Sequence, residues 1–119
     1  MYKHLKYSVL RYSPNPITGE RINLGILFSD DEINFKEFVP TKDFVRLQNF
    51  DDELNLDAVK ALLDGIKSDI ADETRRFDIR EYTKYYINSF AFDTVNTVIY
   101  MDLEEMLDRM TKLYLRTNY

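Results

Sequence analysis

The chain has 119 residues, 45% of them hydrophobic and 14% aromatic, enough to bury a core as one domain spanning 1–119. It has no cysteine, which excludes disulfide scaffolds, thiolate zinc sites and cysteine nucleophiles, and which fits a reducing cytoplasm. The formal net charge is -5, an acidic balance that argues against direct nucleic-acid binding, where a basic footprint is the rule.

The opening "MYKHLKYSVLRYS" lacks the apolar core of a signal peptide, and no run reaches the length of a membrane span, so a soluble, cytoplasmic protein without membrane association is expected. Leu5–Tyr12 reads as a strand, rich in valine, leucine and tyrosine. "RINLGILF" reads as a second strand, with Ile22, Leu24, Ile26 and Phe28 on one face and Asn23, Gly25 and Leu27 on the other. "SDDE" is a polar turn, and "INFKEFV" a third strand that Pro40 ends. Short connections make these three an antiparallel meander.

The pattern then turns helical. Thr41 is placed to cap a short helix carrying Phe44, Val45 and Leu47. From Asp52 to Ile70, Leu56, Val59, Leu62, Leu63, Ile66 and Ile70 recur at helical spacing. Gly65 weakens that helix by about 1 kcal/mol against alanine, and its bare backbone suits a close crossing. "DIRE" at Asp78–Glu81 resembles a capping box opening a third helix to about Ser89. "TVNTVIYM" is a fourth strand, and "DLEEMLDRMTKLYLR" a final helix. Its apolar stripe is Leu103, Met106, Leu107, Met110, Leu113 and Tyr114, with acids leading and Lys112 and Arg116 trailing as the helix dipole favours. The order β-β-β-α-α-α-β-α segregates strands from helices. An α+β fold follows, with an antiparallel sheet of about four strands and helices packed on one face.

The connection Ser13–Arg21 is longer than an ordinary hairpin turn and is stiffened by Pro14 and Pro16, while Gly19 is free to take a positive φ. If Arg11 lies opposite Asn23 and Val9 opposite Gly25, then Arg11, Asn23 and the bare backbone at Gly25 share one face, with Glu20 and Arg21 at its rim. An arginine in an apolar strand needs a partner, and Glu20 is the nearest acid in sequence. Two readings stand side by side. Arg11, Glu20, Arg21, Asn23 and Gly25 lock the loop structurally, or they form a small pocket for an anion or peptide.

Tyr7, Val9, Leu10, Arg11, Tyr12, Pro14, Pro16, Gly19, Glu20, Asn23, Gly25 and Leu27 together resemble the opening signature of the domain-of-unknown-function 3037 family of bacterial proteins. The signature covers about the first quarter of the chain. A weaker likeness returns in the last strand and its acidic-capped helix. Around Gly25 this sequence has leucine and isoleucine where the family often has valine. The resemblance implies no established activity. It does imply genomic neighbourhood with HipA-like kinase proteins, hence a protein partner rather than an enzyme.

Chemistry-bearing clusters are sparse. His4 is the one histidine, so a histidine triad or multi-histidine metal site has no support. Asp30-Asp31 and Asp51-Asp52 are the spacing of turns and helix starts, not of a metal site. "NPITGERIN" lacks the lysine of a phosphate loop. No cofactor, metal or catalytic residue is implied, and the balance leans away from an enzyme.

Charge and aromatics point elsewhere. Residues 1–28 hold Lys3, Lys6, Arg11 and Arg21 against Glu20, whereas Asp51 to Glu73 hold eight acids and two lysines. The acidic stretch is either a solvated helix face or a surface for a basic partner. Tyr82, Tyr85 and Tyr86 fall on one sector of the third helix, where they either straddle core and water or meet a partner. Asp57, Asp64 and Asp69 with these tyrosines make the candidate interaction surface. The expected function is a non-enzymatic protein-interaction module: an accessory, an antitoxin, or a mobile-element-encoded inhibitor. Its partner would be a basic nucleic-acid-handling protein or HipA-like kinase. The alternative is a small-ligand or phosphate-binding protein or enzyme using the first hairpin.

Overall fold

The computed structural model describes residues 2–119 apart from 16, 75, 85, 88 and 118, with backbone alone at 86 and 87. Its frame is an antiparallel sheet built around the first strand. β1 (Lys3–Tyr12) lies at the centre, with β2 (Ile22–Asp30) and then β3 (Phe35–Pro40) to one side. On its other side two strands share its length: β6 (Asn96–Tyr100) pairs with Lys3–Tyr7, and β5 (Phe90–Phe92) with Leu10–Tyr12. The two-residue β4 (Tyr86–Ile87) adds to β5.

The class is α+β, but the helices divide between the two faces of the sheet. α1 (Phe44–Phe50), α2 (Leu56–Ala71) and the single turn α3 (Ile79–Tyr82) cover one face, and α4 (Leu103–Leu115) covers the other. Leu47, Val59, Leu63, Ile70 and Ile79 pack with Leu10, Leu24, Leu27 and Phe38 on the first face. Leu107, Met110 and Leu115 pack with Leu5, Ile26, Phe28 and Tyr100 on the second. A strand covered on both sides reads as a near-continuous apolar run, which is what "LGILF" is.

The expected alternation of β2 is broken by a bulge. Leu10 pairs with Gly25 and Arg11 with Asn23, so Leu24 has no opposite number. Ile22 and Leu24 therefore face α1–α3 together with Leu27, while Ile26 and Phe28 turn to α4. Val9 consequently lies opposite Ile26, not Gly25.

The helix starts follow side-chain chemistry. Asp43 caps α1 by accepting the Arg46 N–H at 2.9 Å, and Thr41, the expected cap, instead accepts the N–H of Asp43. Asn55 caps α2 and Asp102 caps α4. In α4 the buried stripe is Leu107, Met110, Thr111 and Leu115, each buried apolar side chain contributing about 1.5–3 kcal/mol. Leu113, assigned to the stripe from spacing, lies exposed instead. Gly65 is not at a crossing: among the described residues, a Cβ there would meet nothing within 4 Å.

The expected third helix to Ser89 stops after one turn. Asp78 caps it through the Arg80 N–H, but Tyr86–Ile87 and Phe90–Phe92 then pair as β4 and β5 because aromatic and β-branched residues suit a sheet edge. A sector of Tyr82, Tyr85 and Tyr86 on one helix therefore does not exist. Tyr82 ends α3, Tyr86 belongs to β4, and Tyr85 lies outside the described residues. Among the described residues, no helix is long and apolar enough to cross a membrane.

Candidate functional site

The hairpin between β1 and β2 gathers the polar residues that the sequence singles out. Arg11 stands opposite Asn23, as expected from the sequence, and donates from Nε to Asn23 Oδ1 at 3.1 Å. Its charge is met by Asp93, with Nη1 2.7 Å from Oδ2, and not by Glu20. Glu20 and Arg21 are exposed on the loop. Asp93 is itself held against β1: its N–H donates to Val9 O at 2.8 Å, and its carbonyl accepts the Ser8 hydroxyl at 2.6 Å. The loop expected to close on Arg11 thus closes on itself. Asn15 O accepts the Gly19 N–H at φ +71°, and Asn15 Oδ1 accepts the Ile17 N–H. Pro16 lies outside the described residues.

Asn23 joins four elements. Beyond its bond with Arg11, its Nδ2 donates to Tyr114 O of α4 at 3.0 Å. Its backbone carbonyl accepts Arg46 Nη2 of α1 at 3.3 Å. Arg46 Nε is buried without a hydrogen bond, 4.0 Å from Asp43 Oδ2. Gly25 belongs to the opposite face, where a Cβ would run into the Phe38 ring and lie 3.1 Å from the Val39 carbonyl. The cluster therefore does not converge on one open pocket. Arg11, Asn23 and Asp93 tie β1, β2 and the β5–β6 connection together, and Gly25 makes room for Phe38. Asp93 and Arg46 carried no signal in the sequence, since each is remote in the chain from the group it serves.

Tyrosine is spent on the fold in much the same way. Tyr100 OH donates to buried Asp30 at 2.6 Å, and Tyr12 OH to Asp51 at 2.6 Å. Burial first, then the acceptor carboxylate, pushes each phenol up to about 12. Tyr7 and Tyr114 share a hydroxyl contact of 3.3 Å, which with burial raises Tyr7 to about 12. Tyr119 hydrogen-bonds Glu37.

Two adjoining clefts lie between β3 and the end of α2. One, of about 350 Å³, is lined by Lys36, Asp69, Arg76, Phe77, Asp78, Glu81 and Tyr82. Lys36 donates to Asp72 O at 2.8 Å and lies over the Phe77 ring, and Tyr82 OH reaches Asp69 at 3.3 Å. Three acids against two cations give an anionic ligand no favourable wall there.

The outward face of α2 is different in kind. Ala58, Ala61, Gly65 and Ser68 are exposed and, by helical spacing, form a ridge with no large side chain, opposite buried Val59, Leu63, Ile66 and Ile70. Asp57 and Asp64 are exposed along one side of that ridge. Asp69, also exposed, is nearer Tyr82 and the cleft.

The Arg11–Asn23 pair and its bulged hairpin sit inside a longer match: residues 7–115 fit the family described as Protein of unknown function (DUF3037). The chain belongs to the DUF3037 family. The match takes in every element except the first residues of β1 and the end of the chain, so the middle helices, which bear no legible signature, are DUF3037 structure as well. No curated protein and no solved structure matches the chain.

Proposed function

We propose that this DUF3037 chain is a non-enzymatic protein-interaction module that docks a basic partner on the outward face of α2. The observation that carries this reading is Gly65. Glycine inside a helix costs about 1 kcal/mol against alanine, yet among the described residues nothing lies within 4 Å of the place its missing Cβ would take. A ridge of Ala58, Ala61, Gly65 and Ser68 lets another backbone approach closely, and Asp57 and Asp64 beside it select positive charge. Of the tyrosines expected to join that surface, Tyr82 ends α3 and reaches Asp69, and Tyr86 belongs to β4, so neither is on the ridge of α2. Within this reading the partner is a nucleic-acid-handling or kinase-like protein of the cytoplasm, and the chain acts as its accessory, antitoxin or inhibitor. The alternative of a phosphate or small-ligand site at the first hairpin is disfavoured by Arg11, whose guanidinium already holds Asp93 and Asn23.

The test is affinity capture from the native lysate with the wild type, Gly65→Gln and the pair Asp57→Lys with Asp64→Lys. A stoichiometric partner retained by the wild type and lost by both variants, each of which still melts as a cooperatively folded chain, is the expected result. A partner held equally by all three, or none at all, removes this reading.

A further inference from the structure

The two long edges of the sheet are built differently. β3 carries Lys36, Glu37 and Pro40, the charges and proline that keep an edge from pairing with another chain. β6 has no such guard. Its five residues Asn96–Tyr100 hold no charge and no proline, and β1 is its one strand partner among the described residues. Exposed apolar side chains also collect there: Ile99, Met101 and Tyr2 are 55%, 76% and 69% exposed. They border a cavity of about 340 Å³, shared with Met106, Glu105 and Arg109 of α4.

We propose that β6 is the interface of a homodimer, in which the edges of two copies pair antiparallel about a two-fold axis to make one continuous sheet. Three observations select a second copy as the occupant. The first is self-complementarity. In an antiparallel pair centred on Val98, each Thr97 faces Ile99 of the other copy and each Asn96 faces Tyr100, so β-branched residues meet and no like charges oppose. The second is the distribution of charge. With a net charge of -5, two copies repel. The acidic stretch of residues 51–73 lies mostly on α2, which packs on the β3 side of the sheet, beyond β1 and β2 from β6. Meeting through β6 holds the two acidic faces far apart, whereas meeting through β3 would bring them together. The third is the rim. Arg109 lies beside the cavity with Asp102 and Glu105 and pairs with Glu105 at 3.1 Å, so the two-fold brings a cation and acids from each copy to the border of the new sheet, where Arg109 of one copy can meet an acid of the other. Both copies of α4 would then lie on one face, and α2 would stay outward and open. This interface is independent of the docking face proposed above.

Sedimentation equilibrium of the full chain across a dilution series tests it. The expected mass at high concentration is twice 14.2 kDa, with the dimer strengthening as added salt screens the net charge. Ile99→Lys should shift the series to monomer, because it sets a charge into the paired edge. Met101→Lys, more exposed still, should weaken the dimer and covers the case in which Ile99→Lys perturbs folding. Val45→Lys, on an exposed position of α1 on the other face of the sheet, should leave the dimer intact. A wild type that stays monomeric at the top of the series overturns the proposal. So does a dimer that survives both edge variants, or one that Val45→Lys dissociates.

Discussion

Asp93→Asn is the sharpest probe of the hairpin. It keeps the volume and one acceptor oxygen but takes away the charge that faces Arg11 at 2.7 Å. Fully exposed pairs contribute up to about 1 kcal/mol, and breaking a fully buried pair costs about 3–5 kcal/mol. Here the side chains are 25% and 36% exposed, so water reaches both and the cost lies toward the lower bound. Arg11 also keeps its bond to Asn23. The expected loss is therefore about 1.5 kcal/mol, and for a chain of this size about 4 °C in Tm per kcal/mol gives a drop of about 6 °C. Glu20→Gln, on the exposed loop, should move stability by less than about 0.5 kcal/mol. Arg11→Met should cost less than Asp93→Asn, because it removes the cation that needs a partner and keeps the volume. Urea titrations of the four proteins, followed by circular dichroism, give the differences directly. If Glu20→Gln proves more damaging than Asp93→Asn, the assignment of the Arg11 partner is refuted.

Gly65→Ala should stabilise the isolated chain by about 1 kcal/mol, read as a higher urea midpoint, because its Cβ enters open space. Gly25→Ala should do the reverse by about 1–3 kcal/mol, since the Phe38 ring must give way. Tyr100→Phe should cost about 1–3 kcal/mol by taking the hydroxyl from buried Asp30. Tyr12 and Tyr100 are held neutral, to about 12 against an ordinary 10.0. The stability this contributes is whole below pH 10 and disappears as pH rises through 12, so melting temperature should fall across that window, and less steeply in Tyr12→Phe.

The parts of the fold that could be seen in the sequence are those decided by neighbours in the chain. The first hairpin, α2 and α4 announce themselves by alternation, period and caps. Arg11 opposite Asn23 follows from polar residues that must find each other. The bulge at Leu24 was invisible because Leu24 is as apolar as the residues on either side, and only their split between two faces exposes the slip. That split was itself hinted at by the unbroken run from Leu24 to Phe28, which an open-faced strand would not carry. β4 and β5 were hidden by the helix start at Asp78, a true cap whose helix then ran out after a turn. Asp93 could not be found at all, since what places it beside Arg11 is the pairing of β5 and β6 with β1.

β1 is central to the sheet but precedes all of its partners in the chain, and this sets the order in which folding can be completed. Its pairing with β2, and that of β2 with β3, can form as soon as Pro40 has been made. Its other edge waits for partners near Phe90 and Ile99. At a translation rate of about 5–20 residues per second, that edge stays open on the ribosome for roughly 4–16 s. During that interval Leu5, Val9 and Leu10 present an apolar strand with unpaired backbone groups. The slow stage of folding is therefore expected to be closure across the longest loop in the molecule, not formation of its helices. A chaperone acting on the nascent chain would find its binding site in β1.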